Sequence, residues 1–236
     1  MLAAKLLAVK PAGNLEFVGG RAATSTGQTP SYSLTGLTGG LASSPSIGDI
    51  VVVAVGFSDG TDRDITCTTA GYTELADLKS GTFAATQMGV FLKKLTSADT
   101  SVAFDLGVSA NSACAIHVWR NASDTQPDST TTTTTNSAAS SLSIDAPAIT
   151  TSTSNAVVLA FAFANSNDIA ISSYSTPSGM SNLFQVATGN ARIGVASAVV
   201  TSPSSYNPPT FGTRGGGNGS FLGTTFCAAT AAIRPA

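Results

Sequence analysis

The chain contains a single histidine, so any catalytic arrangement that needs an imidazole must use His117. A Ser-His-Asp triad or a Cys-His pair requires that ring beside a nucleophile. His117 instead stands in an apolar, strand-like segment, residues 113–119, whose alternation places His117 and Trp119 on one face and Cys114 and Ile116 on the other. A histidine beside a tryptophan on a strand face is typical of a packed or interface residue. We therefore predict no enzymatic activity and take His117 and Trp119 as candidate interface residues.

Asp59, Asp62 and Asp64 are the acidic residues whose spacing comes closest to a metal-ligand set. Three carboxylates in one loop suit Ca²⁺, but the spacing differs from an EF-hand loop and no glutamate follows to complete it. Two interpretations stay open, a cation site or a solvated loop whose charges keep a sheet edge soluble, and the second is favoured. The two glutamates show nothing of the paired acids that a glycosidase needs. We predict no cofactor and no metal.

Composition excludes several functional classes. Of the 236 residues, 10% are charged and 42% are hydrophobic, and the formal net charge is −2. Without a basic stripe, nucleic-acid binding is not expected, and no apolar window is long enough to span a membrane. Lys5 and Lys10 interrupt the apolar start, so we expect no signal peptide and synthesis in the cytoplasm. The three cysteines are interpreted as small core residues, with a Cys114–Cys227 bridge as the less favoured alternative.

The strongest pattern in the sequence is an internal repeat. Residues 48–55 return as 154–161, residues 88–91 as 193–196, and residues 115–120 as 229–234. The separation between the copies is nearly constant and increases only after an extra glycine-rich loop, residues 212–219, in the second copy. A repeat of this kind predicts two equivalent structural halves.

Strand signals are abundant and predict an all-β protein. Residues 50–55 and 157–163 are continuous apolar runs, which is typical of strands covered on both faces. Two halves that face each other bury more surface than two separate small sandwiches. We therefore predict a jelly-roll-like β-sandwich built from two pseudo-symmetric halves, residues 15–121 and 142–236, joined by a polar connector, residues 122–141, that follows a sheet edge. Further strands are predicted at residues 15–18, 31–35, 89–95, 102–104, 113–119 and 193–200.

Residues 1–14 precede the predicted sandwich and form a separate arm. Leu2, Leu6, Leu7 and Val9 give this segment an apolar side, either as a short helix that ends before Pro11 or as an extended arm. Four large aliphatic side chains are each stabilised by about 1.5–3 kcal/mol on burial. We therefore predict that the arm docks on a neighbouring subunit or on a larger particle, and we take these four as candidate interface residues.

The order of turns and strands resembles a known class of proteins. The features that carry the resemblance are residues 16–19, the Gly48-Asp49 pair before an apolar strand, the turn at 70–75, the strand at 89–95, Trp119-Arg120-Asn121 at the end of the first half, the Ser/Thr connector and residues 149–158. Together they resemble the β-sandwich structural proteins of tailed bacteriophages and related particles, which occur as head decorations, head fibres or tail-tip adhesins. The resemblance covers roughly residues 15–234, and no catalytic residue is carried over from it.

The resemblance implies a non-enzymatic protein on the virion surface, a component of the capsid or the tail. Its expected partners are other virion proteins and further copies of itself, with a trimer favoured, and host glycans at the cell surface. Tyr72, Trp119, Tyr174 and Tyr206 are the aromatic residues that would stack on sugars, although core packing accounts for most of them. The alternative is a carbohydrate-binding module or a cell-surface adhesin.

Overall fold

The computed structural model describes residues 13–80, 86–139, 143–166, 171–215 and 224–236, and the regular elements in these ranges are all β-strands. Every strand predicted from the sequence overlaps an observed strand, which confirms the all-β, sandwich-type fold. The predicted arm residues Leu2, Leu6, Leu7 and Val9 lie outside the described residues. The strands are β1 (Glu16–Gly27), β2 (Ser31–Ser33), β3 (Ile50–Ser58), β4 (Thr66–Cys67), β5 (Thr73–Ser80), β6 (Thr86–Lys94), β7 (Ser101–Asp105), β8 (Ala110–Arg120), β9 (Thr132–Ala139), β10 (Ser143–Ile144), β11 (Ile149–Thr150), β12 (Ala156–Asn165), β13 (Ile171–Tyr174), β14 (Ser181–Thr188), β15 (Ala191–Val200), β16 (Ser205–Tyr206), β17 (Phe211–Gly215) and β18 (Thr224–Ile233).

Two five-stranded antiparallel sheets form the centre of the molecule. The first has the order β1-β8-β3-β6-β5 and the second the order β9-β18-β12-β15-β14. The segments that repeat in the sequence occupy the same positions in the two orders, with β3 and β12 in the middle. The polar connector supplies β9, which pairs with β18 at the edge of the second sheet, as predicted. The prediction of a glycine-rich loop is wrong for residues 212–215, which belong to β17. Gly212 pairs with Ser143 of β10, and residues 213–215 pair with β13.

The two large sheets face each other across a shared apolar layer. Strand β8 packs against β14 and β15, while β6 packs against β12 and β18. Val52 of β3 and Leu159 and Phe161 of β12 point into this layer because alternate residues of a strand share a face. The sheets approach closely at Gly56, where a Cβ atom would lie 2.6 Å from the ring of Phe163.

Smaller sheets cover the outer faces of both large sheets. Strands β2, β7 and β4 form one of them and pack on the outer side of β3 and β8 through residues such as Tyr32 and Phe104. Strands β10, β17 and β13 form a second, which packs on β12 and β15 through Tyr174 and Phe211. The third, β11 and β16, covers the same side of the second large sheet through Ile149 and Tyr206. The described part of the chain thus has four β layers, and β3 and β12 are covered on both faces, as predicted.

An ion pair between an arginine and a buried aspartate fixes the end of β8, and a second one fixes the end of β18. Asp49, 1% exposed, accepts hydrogen bonds from Nε and Nη2 of Arg120 at 2.8 and 2.9 Å. In the second half Asn155 stands where the repeat has Asp49, and Arg234 instead contacts Asp128 of the connector at 3.3 Å. Burial opposes ionisation of Asp128, but hydrogen bonds from Thr153 and its neighbours outweigh it and hold its pKa below the ordinary value.

Candidate functional site

His117 is packed between the two halves of the chain. It lies on β8, is fully buried, and its Nε2–H donates to the carbonyl oxygen of Asn182 in β14 at 2.8 Å. The rings of Phe17 and Phe184 lie 5.1 and 5.6 Å from the imidazole. Burial lowers the pKa of His117 to about 3, and the hydrogen bond to Asn182 opposes this only partly. The imidazole is therefore neutral at physiological pH and enclosed, so it is not available as a general base.

The predicted interface residues His117 and Trp119 do form an interface, but one inside the chain. Trp119 is 4% exposed and its ring lies 5.0 Å from that of Phe17, in the layer between the large sheets. Both side chains are covered because β14 and β15 of the second half lie over β8. They are not surface contacts available to another subunit.

The tyrosines considered for sugar stacking also pack within the protein. Tyr174 is buried, and its hydroxyl donates to the carbonyl oxygen of Arg192 at 2.6 Å. Tyr72 is half-buried and lies under the ammonium group of Lys93, 5.4 Å from the ring centroid. Tyr206 is half-buried against the outer face of the second sheet. With Trp119 also buried, these four aromatic residues do not form an exposed stacking platform.

Two of the three aspartates of the predicted acidic loop form ion pairs, each with a different residue. Asp59 accepts a hydrogen bond from Nε of Arg63 at 2.6 Å, and Asp62 lies 3.5 Å from the ammonium group of Lys79. Among the described residues, no group of three or more histidine, cysteine, aspartate or glutamate side chains is arranged to hold a metal ion. The carboxylates of Asp59 and Asp62 are thus already engaged with cationic side chains.

An acidic groove of about 620 Å³ lies beside this loop. Asp64 lines it together with Glu74 and Asp77 of β5. Burial, and to a smaller extent the negative charge of these neighbours, raises the pKa of Asp77 to about 6, against a hydrogen bond from the backbone N–H of Ile65. The sequence did not mark Asp77, because it belongs to a strand that lacks an alternating apolar pattern.

The cysteines behave as predicted. Cys67, Cys114 and Cys227 are all free thiols. Cys114 faces the outer apolar layer of the first half and Cys227 faces the layer between the large sheets. Because their side chains enter different layers, the alternative of a bridge between them is wrong.

A cleft of about 500 Å³ lies between the two halves, at the end of the molecule where β3 and β12 finish. Its wall from the first half comes from the end of β3 and the β7–β8 loop, and its wall from the second half from the end of β12 and the β14–β15 turn. The described lining residues are Ser58, Asp59, Val108, Ser109, Ala110, Asn111, Asn165, Thr188, Gly189, Asn190 and Ala191.

Arg63 braces the first wall of this cleft. Its Nε donates to Asp59, its Nη1 donates to the carbonyl oxygen of Gly107 at 3.3 Å, and its backbone N–H donates to Oε1 of Gln87 at 2.8 Å. One guanidinium thereby ties the β3–β4 loop to the β7–β8 loop. In the second wall, Thr188 pairs with Ala191 across a two-residue turn whose first residue, Gly189, has φ 58°.

A scan against protein-family models found no match, and searches of curated proteins and of solved structures also found none. The described residues include no helix that is long and apolar enough to cross a membrane.

Proposed function

We propose that the chain is a non-enzymatic structural protein on the surface of a tailed bacteriophage or a phage-like particle. The structural role is supported by the contacts of the side chains that could do chemistry. The only imidazole, that of His117, is buried and neutral, and the carboxylates of Asp49 and Asp128 form ion pairs with arginines that hold strand ends in place. The virion setting is supported by the resemblance described above. The expected partners are capsid or tail proteins and further copies of this chain, with a trimer favoured.

The sequence predicts one jelly-roll-like sandwich built from two pseudo-symmetric halves. We propose instead that each half is itself jelly-roll-like and that an approximate twofold axis relates the two. In a jelly roll the first strand pairs with the eighth, the second with the seventh and the third with the sixth. The pairs β1–β8, β2–β7 and β3–β6 support that order in the first half. Reciprocal packing of β8 on β15 and of β6 on β18 supports the twofold axis. Jelly rolls occur in both capsid and lectin domains, so this fold is compatible with the proposed role.

Purified particles provide the test of the virion role. We expect the protein to remain with intact particles through density-gradient purification, in a fixed ratio to the major capsid protein. Its absence from purified virions would overturn the proposal. Deletion of residues 1–10 should abolish incorporation or self-association while the melting temperature stays nearly unchanged.

A carbohydrate-binding module or cell-surface adhesin is the second candidate. The observation in its favour is the cleft, whose described walls consist mainly of neutral hydroxyl and amide side chains. Retention of the isolated protein on host-cell envelopes, in the absence of particles, would support this candidate over the first.

A further inference from the structure

We propose that the cleft between the halves binds a short segment of neutral saccharide. The inference rests on the proposed surface role in one respect, namely that the saccharide would come from a host-cell surface. Binding itself can be measured with the isolated chain. A volume of about 500 Å³ lies within the range of roughly 300–1,000 Å³ that is usual for small-ligand sites.

The chemistry of the lining selects a ligand with many hydroxyl groups. Ser109, Asn111, Thr188 and Asn190 can each donate and accept hydrogen bonds, as sugar hydroxyls do. None of these four side chains hydrogen-bonds to another residue that the structure describes, so their capacity is open to a ligand. Val108, by contrast, offers apolar surface to the C–H groups of a sugar ring.

Charge in the cleft disfavours anionic ligands. Asp59 is the one charged residue among the described lining residues, and its carboxylate is already paired with Arg63. The described lining contains no lysine or arginine that could bind a phosphate, sulfate or carboxylate group. A neutral saccharide meets no uncompensated charge here, whereas an anionic one would lose hydration without gaining a cation.

The walls are held in place before a ligand arrives. The Arg63 brace connects the two loops of the first wall, and a tight hairpin turn forms the second. Asn165 is fixed because its backbone pairs with Ala191 on one side and Thr225 on the other. Pre-ordered walls reduce the entropy lost on binding, which matters most for weak ligands such as sugars.

A second depression extends the cleft along the first half. It has a volume of about 570 Å³, shares Asn111, Thr188 and Gly189 with the cleft, and continues along Thr24, Ser25 and Thr26 of β1. The same hydroxyl-rich chemistry therefore continues beyond the space of one sugar ring. This continuity points to an oligosaccharide segment rather than a single monosaccharide.

Titration of the ¹⁵N-labelled full-length chain tests the inference. The probes are maltotriose, cellotetraose, chitotriose and a galactose trisaccharide as neutral ligands, with sialyllactose and a heparin hexasaccharide as anionic ones. We expect at least one neutral probe to shift the amide signals of Asn111, Gly189 and Asn190, with a Kd of about 1 mM or tighter. Asn111→Ala and Asn190→Ala should each weaken that binding about fivefold, the effect of one lost hydrogen bond.

Asn207→Ala is the matched control, because Asn207 is an exposed asparagine beside Tyr206, which packs near the opposite end of β12. It should leave the affinity unchanged. The inference is overturned if no neutral probe shifts these signals at about 10 mM, if the shifts lie elsewhere, or if the anionic probes bind more tightly. Since particles are not involved, failure here is distinct from failure of the virion proposal.

Discussion

His117 should make the protein sensitive to acid, by an amount that follows from its burial. The unfolded chain protonates this histidine below pH 6.5, whereas the folded chain resists protonation until its pKa of about 3. Between these values the unfolded state binds more protons, so the free energy of unfolding falls as the pH falls. Each pH unit in the window costs about 1.4 kcal/mol, and the whole window up to about 5 kcal/mol.

His117→Gln isolates this contribution. An amide does not titrate in this range, and its N–H can still donate to the carbonyl oxygen of Asn182. Urea unfolding of both proteins at intervals from about pH 8 to pH 4 gives the difference in stability at each pH. We expect the variant to be less stable by about 1–2 kcal/mol at pH 8, because it loses ring contacts with Phe17 and Phe184.

By pH 4 that difference should shift in favour of the variant by about 3 kcal/mol relative to pH 7. Parallel stability profiles for the two proteins would refute the argument that His117 is held neutral by burial. Sedimentation of the variant should match that of the wild type, because His117 contacts the second half of its own chain.

Three further substitutions probe other parts of the structure. Asp128→Ala should destabilise the protein by about 3 kcal/mol at pH 7, measured by urea unfolding, because Arg234 loses its carboxylate partner and the Thr153 hydroxyl loses its acceptor. An effect below about 1 kcal/mol would contradict this role. Since the pKa of Asp128 is lowered on folding, its contribution should disappear as the pH falls through that lowered value. Asp77→Asn should stabilise the protein by about 1 kcal/mol at pH 8, a figure that allows for solvent screening. Because folding raises the pKa of Asp77 from 3.8 to about 6, this gain in stability should vanish near pH 4. A gain that persists at pH 4 would refute the role of the raised pKa. Gly56→Ala should lower stability by about 2 kcal/mol in thermal or urea unfolding, because the added methyl group would overlap the buried ring of Phe163. Gly60→Ala is the control, because a methyl group there enters open space and should not have this effect.

The class of fold and its central strands follow from local patterns in the sequence. Continuous apolar runs predicted β3 and β12 as strands buried on both faces, because only a strand with a layer on each side tolerates such a run. The alternation of side chains along β8 correctly assigned Cys114 and Ile116 to one face of the strand and His117 and Trp119 to the other. These properties are local, so they can be read from neighbouring residues.

Edge strands were harder to predict than central ones. Strand β5 carries polar and charged residues, and β14 is half-buried along most of its length. An edge strand is stabilised by hydrogen bonds to one neighbour and needs no continuous apolar face. Its sequence therefore resembles that of a loop, and its place in the sheet depends on the strand beside it.

The cover of each strand face and the position of the cleft depend on how the sheets pack in three dimensions. Alternation assigns His117 and Trp119 to a face, but it does not say whether that face meets solvent, a partner or the other half of the chain. The cleft likewise joins Asn111 to Thr188 and Asn190, which are far apart in the sequence. Such contacts depend on how two sheets stack, and stacking is set by the summed packing of many side chains rather than by any local pattern.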